Sequence, residues 1–154
     1  MRRPFVVLTS ILFLGSAAFA CRAESESLHK CEFSVKSRCA SGRAEATFTG
    51  SELTRLYVDV FMCGLPGKPG YSCSVKYSRN DENSTWTESG GVVTIENGSP
   101  WNPSTPERIK VTVGKHVSID LDELPSAGYC GAGAELPSAI VILENKSTCR
   151  VWLP

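Results

Sequence analysis

The sequence is poor in the residues on which most enzyme chemistry depends. It holds two histidines, His29 and His116, and no pair of cysteines spaced C-x-x-C, so the close Cys/His ligand pairs of structural zinc sites do not occur. Catalysis by Ser-His-Asp or Cys-His needs a histidine held against a nucleophile. Neither histidine is flanked by such a motif, and no G-x-S-x-G, P-loop or dinucleotide fingerprint is present. Asp120, Asp122 and Glu123 are close together, but on a strand the two aspartates share the solvent side, opposite Ile119 and Leu121. Neither that run nor Asn80 to Asn83 has the full spacing of an EF-hand loop. The expectation is therefore no catalytic residue, no metal and no cofactor.

An excess of one charge is also missing, with 16 basic and 16 acidic residues. Long apolar runs are missing too. The longest, Phe5 to Leu14, is half of the roughly 20 residues a membrane-spanning helix needs. It follows Arg2 and Arg3 and precedes Ala18-Phe19-Ala20, the three-part pattern of an export signal over residues 1–20. Its removal leaves 14 basic against 16 acidic side chains, which argues against a nucleic-acid partner. The remaining chain is expected to hold a polar tether over 21–30 and one domain over 31–154, without a transmembrane segment. The form of the signal fits the bacterial periplasm.

All seven cysteines lie beyond that signal. An exported chain keeps its disulfides, so Cys31, Cys39, Cys63, Cys73, Cys130 and Cys149 are expected to form three bridges. Joining neighbours gives Cys31–Cys39, Cys63–Cys73 and Cys130–Cys149. The seventh, Cys21, stands at the cleavage junction. Three fates account for it: a lipid anchor, loss through cleavage after Ala23, or a free or intermolecular thiol.

From Cys31 onward the apolar residues recur mostly at every second position, the period of strands. Leu56, Val58, Val60 and Met62 alternate with Tyr57, Asp59 and Phe61, and Cys73, Val75 and Tyr77 repeat the pattern. Turn clusters fall at Ser41-Gly42, Gly50-Ser51, Asn80 to Asn83, Ser89-Gly90-Gly91 and Asn97 to Thr105. Facing residues must share one side of a sheet. The spacing therefore pairs Val113 with Val117, Val111 with Ile119 and Ile109 with Leu121 through a three-residue turn, Gly114 to His116. Ala139 to Leu143, apolar throughout, is expected to be buried on both faces. No long amphipathic helix is apparent. The fold class expected is all-β, an antiparallel sandwich or barrel stabilised by disulfides.

Binding surfaces on such scaffolds sit mostly on loops. The segment from Cys63 to Cys73, with three glycines and two prolines, places Lys68 and Tyr71 near its tip. Trp101 lies in a proline-rich loop, and Tyr129 and Glu135 flank a glycine-rich one. These five are the candidate binding residues. Together they suggest an exported inhibitor or immunity protein that blocks a secreted or cell-wall-degrading hydrolase with a rigid loop. Being small, exported and disulfide-bonded, the chain resembles the bacterial lysozyme inhibitors in format, though no motif carries a residue role across. The alternative is a structural or adhesive envelope subunit, marked by a missing or exchangeable strand and by self-association.

Overall fold

A computed structural model describes residues 24–64, 70–98, 106–130 and 135–153. The predicted signal, Cys21, Lys68 and Trp101 lie outside them. The described residues are nearly all strand, arranged as two antiparallel sheets packed as a sandwich rather than a closed barrel. No helix among them is long and apolar enough to cross a membrane.

The first sheet is a meander of β1 (Glu26–Val35), β2 (Ala40–Thr49), β3 (Glu52–Met62) and β4 (Tyr71–Ser78). The second runs in order from β5 (Ser84–Ser89) through β6 (Val92–Asn97), β7 (Glu107–Val113), β8 (Val117–Asp120) and β9 (Ala139–Ile142) to β10 (Cys149–Trp152). A five-residue helix, α1 (Ser126–Cys130), packs against β4. Side chains alternate across a strand, so every second residue of each sheet enters the core. Leu56, Val58, Val60, Val75, Ile95, Ile109, Val111, Ile119 and Ile140 are all buried there. The β7–β8 hairpin has the register the spacing predicts, with Val113 opposite Val117 and Val111 opposite Ile119, and His116 lies in its turn.

The chain passes between the sheets at a corner fixed by Arg79. Its Nε donates to the Leu53 carbonyl at 2.8 Å, and its guanidinium pairs with Glu52 at 2.8 Å and lies 5.3 Å from the centre of the Trp86 ring. One side chain thus holds the β2–β3 turn, the end of β4 and β5 together.

Several expectations are corrected. Glu26 to Lys30, expected in the tether, are the first half of β1 and pair with Glu45 to Thr49. Their exposed side chains hide a strand whose order comes from backbone pairing. Ser41-Gly42 lies inside β2 and is no turn. Glycine is needed there because a Cβ would stand 2.2 Å from the Asp59 carbonyl oxygen and 2.7 Å from the Phe33 ring. Ala139 to Leu143 is buried on one face only: Ile140 and Ile142 enter the core, while Ala139 and Val141 are half-buried.

The six cysteines predicted to pair do so, but in a different pattern: Cys31–Cys149, Cys39–Cys63 and Cys73–Cys130. Neighbour pairing fails on strand geometry. Cys31 lies four residues before the end of β1, about 13 Å along the strand and so beyond a disulfide's reach of Cys39. Cys73 is opposite Val60 and not opposite Cys63. Cys130 lies over β4 and Cys149 beside β1, at opposite edges of the first sheet. The observed bridges instead join β1 to β10, the β1–β2 turn to the end of β3, and β4 to α1.

Peptide mapping without reduction is expected to recover these three pairs and none of the neighbour pairs. Replacing Cys31 and Cys149 together by serine opens the longest loop, with a separation of 118 residues, and the same change at Cys39 and Cys63 opens one of 24. Urea unfolding should show losses of about 5 and about 3.5 kcal/mol respectively, following loop entropy.

Candidate functional site

The end of the β3–β4 hairpin is the best-formed candidate surface. Met62 faces Tyr71 as the last paired residues of the hairpin. Its base is held twice. Cys63 is bonded to Cys39 through sulfur, and its N–H donates to the Cys39 carbonyl at 3.0 Å. Cys39 itself has a left-handed backbone, φ 46°, after the 3-10 turn Lys36–Arg38, a conformation uncommon outside glycine and asparagine. Surrounding structure has to hold such a residue in place, and the bridge does so.

Tyr71 stands at the base of this loop, not at its tip. It is half-buried against the core, and its hydroxyl donates to the Met62 Sδ at 3.3 Å. The exposed aromatic is Phe61, on the outer face with half of its surface open to solvent (50%). Across the sheet it lies in a row with Ser34, Ser41 and Ser72, small residues that leave the ring standing above a flat floor. The returning chain packs against it: a Cβ at Gly70 would meet Phe61 Cζ at 3.0 Å and the Met62 carbonyl at 2.7 Å. Farther along the same face, the Arg43 guanidinium lies 5.0 Å from the centre of the Tyr57 ring, donates to its hydroxyl at 3.3 Å and approaches Asp59 at 4.0 Å. Lys68 belongs to this loop but lies outside the described residues.

Tyr129 and Glu135 do not join that surface. Tyr129 is on α1, near the far end of β4, about 20 Å along the strand from Tyr71. Its hydroxyl donates to the Glu107 carboxylate and lies 2.6 Å from the Tyr77 hydroxyl. With Glu107 ionised, the chain runs one way, Tyr77 to Tyr129 to Glu107. It links the first sheet, the helix and the second sheet beside the Cys73–Cys130 bridge. Glu107 is only 5% exposed, so these hydrogen bonds are what make its burial tolerable. Burial pushes the Tyr129 hydroxyl far above the usual tyrosine range, and its bonds to Glu107 and Tyr77 act in the same direction. Burial also raises Tyr77. Glu135 is exposed, next to residues outside the description, while Leu136 returns to the core. Trp101 lies outside the described residues, in the sequence between the paired Asn97 and Glu107.

The acidic run is engaged structurally. Glu123 accepts from Lys110 at 2.5 Å and pairs with Arg108 at 3.2 Å, and Arg108 also pairs with Glu96 at 2.6 Å. The Lys110 ammonium holds the Glu123 carboxyl below the usual carboxylate range. The Asp120 side chain accepts from the Asp122 N–H, which makes a local turn. His116 Nδ1 accepts from the Glu144 N–H at 3.1 Å, and His29 lies edge-on to Phe48 with centroids 5.2 Å apart. Among the described residues no group of acidic, histidine or cysteine side chains is placed to hold a metal.

Sequence reasoning singled out the segment from Cys63 to Cys73 without assigning a role to two features at its base. Phe61 was legible as an outward residue from its alternation with Val60 and Met62. The Cys39–Cys63 staple was not, because it depends on how β2 and β3 pair. The described residues form a disulfide-bonded β-sandwich in which the Cys39–Cys63 bridge fastens the base of the β3–β4 hairpin. Comparison of the chain with protein families, with characterised proteins and with solved structures finds no match.

The Tyr77–Tyr129–Glu107 chain makes stability sensitive to alkali. Both hydroxyls titrate higher in the folded state than in the unfolded chain, so their contribution is complete below about pH 10 and declines as pH rises further. Tyr129→Phe should cost about 1–3 kcal/mol at neutral pH, because it leaves the Glu107 carboxylate without its donor. It should also flatten the loss of stability between neutral and strongly alkaline conditions, as followed by urea unfolding.

Proposed function

We propose that this is an exported binding protein of the bacterial envelope, an inhibitor or immunity protein that inserts the β3–β4 loop into the cleft of a secreted or cell-wall-degrading hydrolase. The observation that carries this reading is the doubly fastened loop base at Cys39 and Cys63, set beside the half-exposed ring of Phe61. A loop ordered before binding loses less entropy on association, and an exposed aromatic next to it supplies the anchor that such interfaces concentrate their energy on. Three disulfides support an oxidising compartment, and the amino-terminal pattern supports the periplasm as that compartment. Cys21, where it is retained and lipidated, tethers the protein to the membrane.

The test is native capture from envelope extracts, identification of the bound hydrolase, and inhibition kinetics with the pure pair. Phe61→Ser and Lys68→Ala should each weaken binding by about 2 kcal/mol, roughly 30-fold, with an unchanged melting curve. Tyr71→Ala should weaken it as well, with some loss of stability from the core contact. Full inhibition by both Phe61→Ser and Lys68→Ala would remove the loop from consideration. Self-association without hydrolase capture would favour the structural subunit.

A further inference from the structure

One seam of the sandwich is only half closed. The Cys31–Cys149 bridge and a 2.8 Å hydrogen bond from the Glu32 N–H to the Ser147 carbonyl join β1 to the chain entering β10. The two run in the same direction from the Glu32–Thr148 bridge. Beyond it lies a groove of 420 Å³, lined by Phe33, Ser34, Val35, Cys149 and Val151 among others.

Backbone groups alternate in direction along a strand. Glu32 directs its N–H to Ser147, so Ser34 turns its own N–H and C=O the same way, away from β2. The Trp152 carbonyl accepts from Ser138 on the β9 side at 2.9 Å, so Val151 turns its backbone groups away from β9 and toward β1. Among the described residues the pairing of β1 with β10 does not continue as a ladder past the Glu32–Thr148 bridge, so Ser34 and Val151 face each other across the groove without one.

We propose that this groove is a strand-acceptor site that binds an extended segment of another polypeptide. The added strand is apolar at alternate positions, to cover Phe33, Val35 and Val151, and carries a basic residue beside Glu32. Donors and acceptors at strand spacing, over an apolar floor, are matched by a second backbone, the chemistry of β-strand addition. A second copy offers a poor match in its outer strand β5, whose core-side positions hold Ser84, Trp86 and Glu88. The site is separate from the hairpin end and stands whether or not that loop blocks a hydrolase.

The probe is a capped eight-residue peptide in which valine alternates with threonine, with one threonine replaced by lysine. Amide exchange of the full mature protein is followed by NMR. Saturating peptide should slow exchange at Ser34 and Val151 by about tenfold or more and leave β5 unchanged. N-methylation of the peptide's groove-facing amides should abolish the effect. Val151→Pro should abolish protection at Ser34 while keeping the β9 ladder, because the N–H it removes points into the groove. The N-methylated peptide carries the same test if that variant does not fold. The proposal is overturned by unchanged exchange up to millimolar peptide, by equal binding of the N-methylated form, or by protection that rises with protein concentration alone, which would make a second copy the occupant.

Discussion

The covalent bond between Cys31 and Cys149 fixes the relation of the two sheets. Each sheet is a consecutive meander with its own ladder, and nothing in either ladder dictates how the other must lie on it. Burial of the two apolar faces brings them together, but the hydrophobic effect has no direction of its own. The bridge supplies one, by fastening the first strand to the last at a single corner. The Arg79 cluster performs a similar task at the corner where the chain crosses between sheets, and Cys73–Cys130 anchors α1 over β4.

Within that frame the polar interior is small and purposeful. Glu107 is the one buried carboxylate among the described residues, and it is held by a tyrosine whose hydroxyl also meets a second tyrosine from the opposite sheet. Three elements that share no ladder are thereby aligned. The outer faces are tied more loosely, by exposed pairs such as Arg108 with Glu96 and Glu123, which water and salt weaken.

Period-two alternation made the core strands and the β7–β8 register legible before any coordinates, since slipping by one residue would expose the whole apolar face. It also marked Phe61 as outward. What alternation does not report is which strands become neighbours, and the disulfide partners follow from that. Gly42 read as a turn because its reason for being glycine, the Phe33 ring, comes from another strand. Tyr129 read as exposed because its partners, Tyr77 and Glu107, are 52 and 22 residues away. Glu26 to Lys30 read as a tether because a strand with exposed side chains carries no apolar signal. Of the candidate site, composition singled out the segment from Cys63 to Cys73 and alternation the outward Phe61, while the Cys39–Cys63 staple emerged only from strand pairing.

The 118-residue span between the first and last bridged cysteines also has a consequence in time. A chain that emerges amino-terminus first presents Cys31 early, beside Cys39, while its true partner appears only 118 residues later. Cys39 and Cys63 can meet as soon as the first meander has formed. Cys31 has to wait, exposed to the nearer and wrong thiols, until Cys149 has emerged. Oxidation faster than synthesis would trap scrambled species, so correct maturation depends on a thiol exchange catalyst or on slow oxidation, and the two sheets are locked together only once Cys149 is free to react.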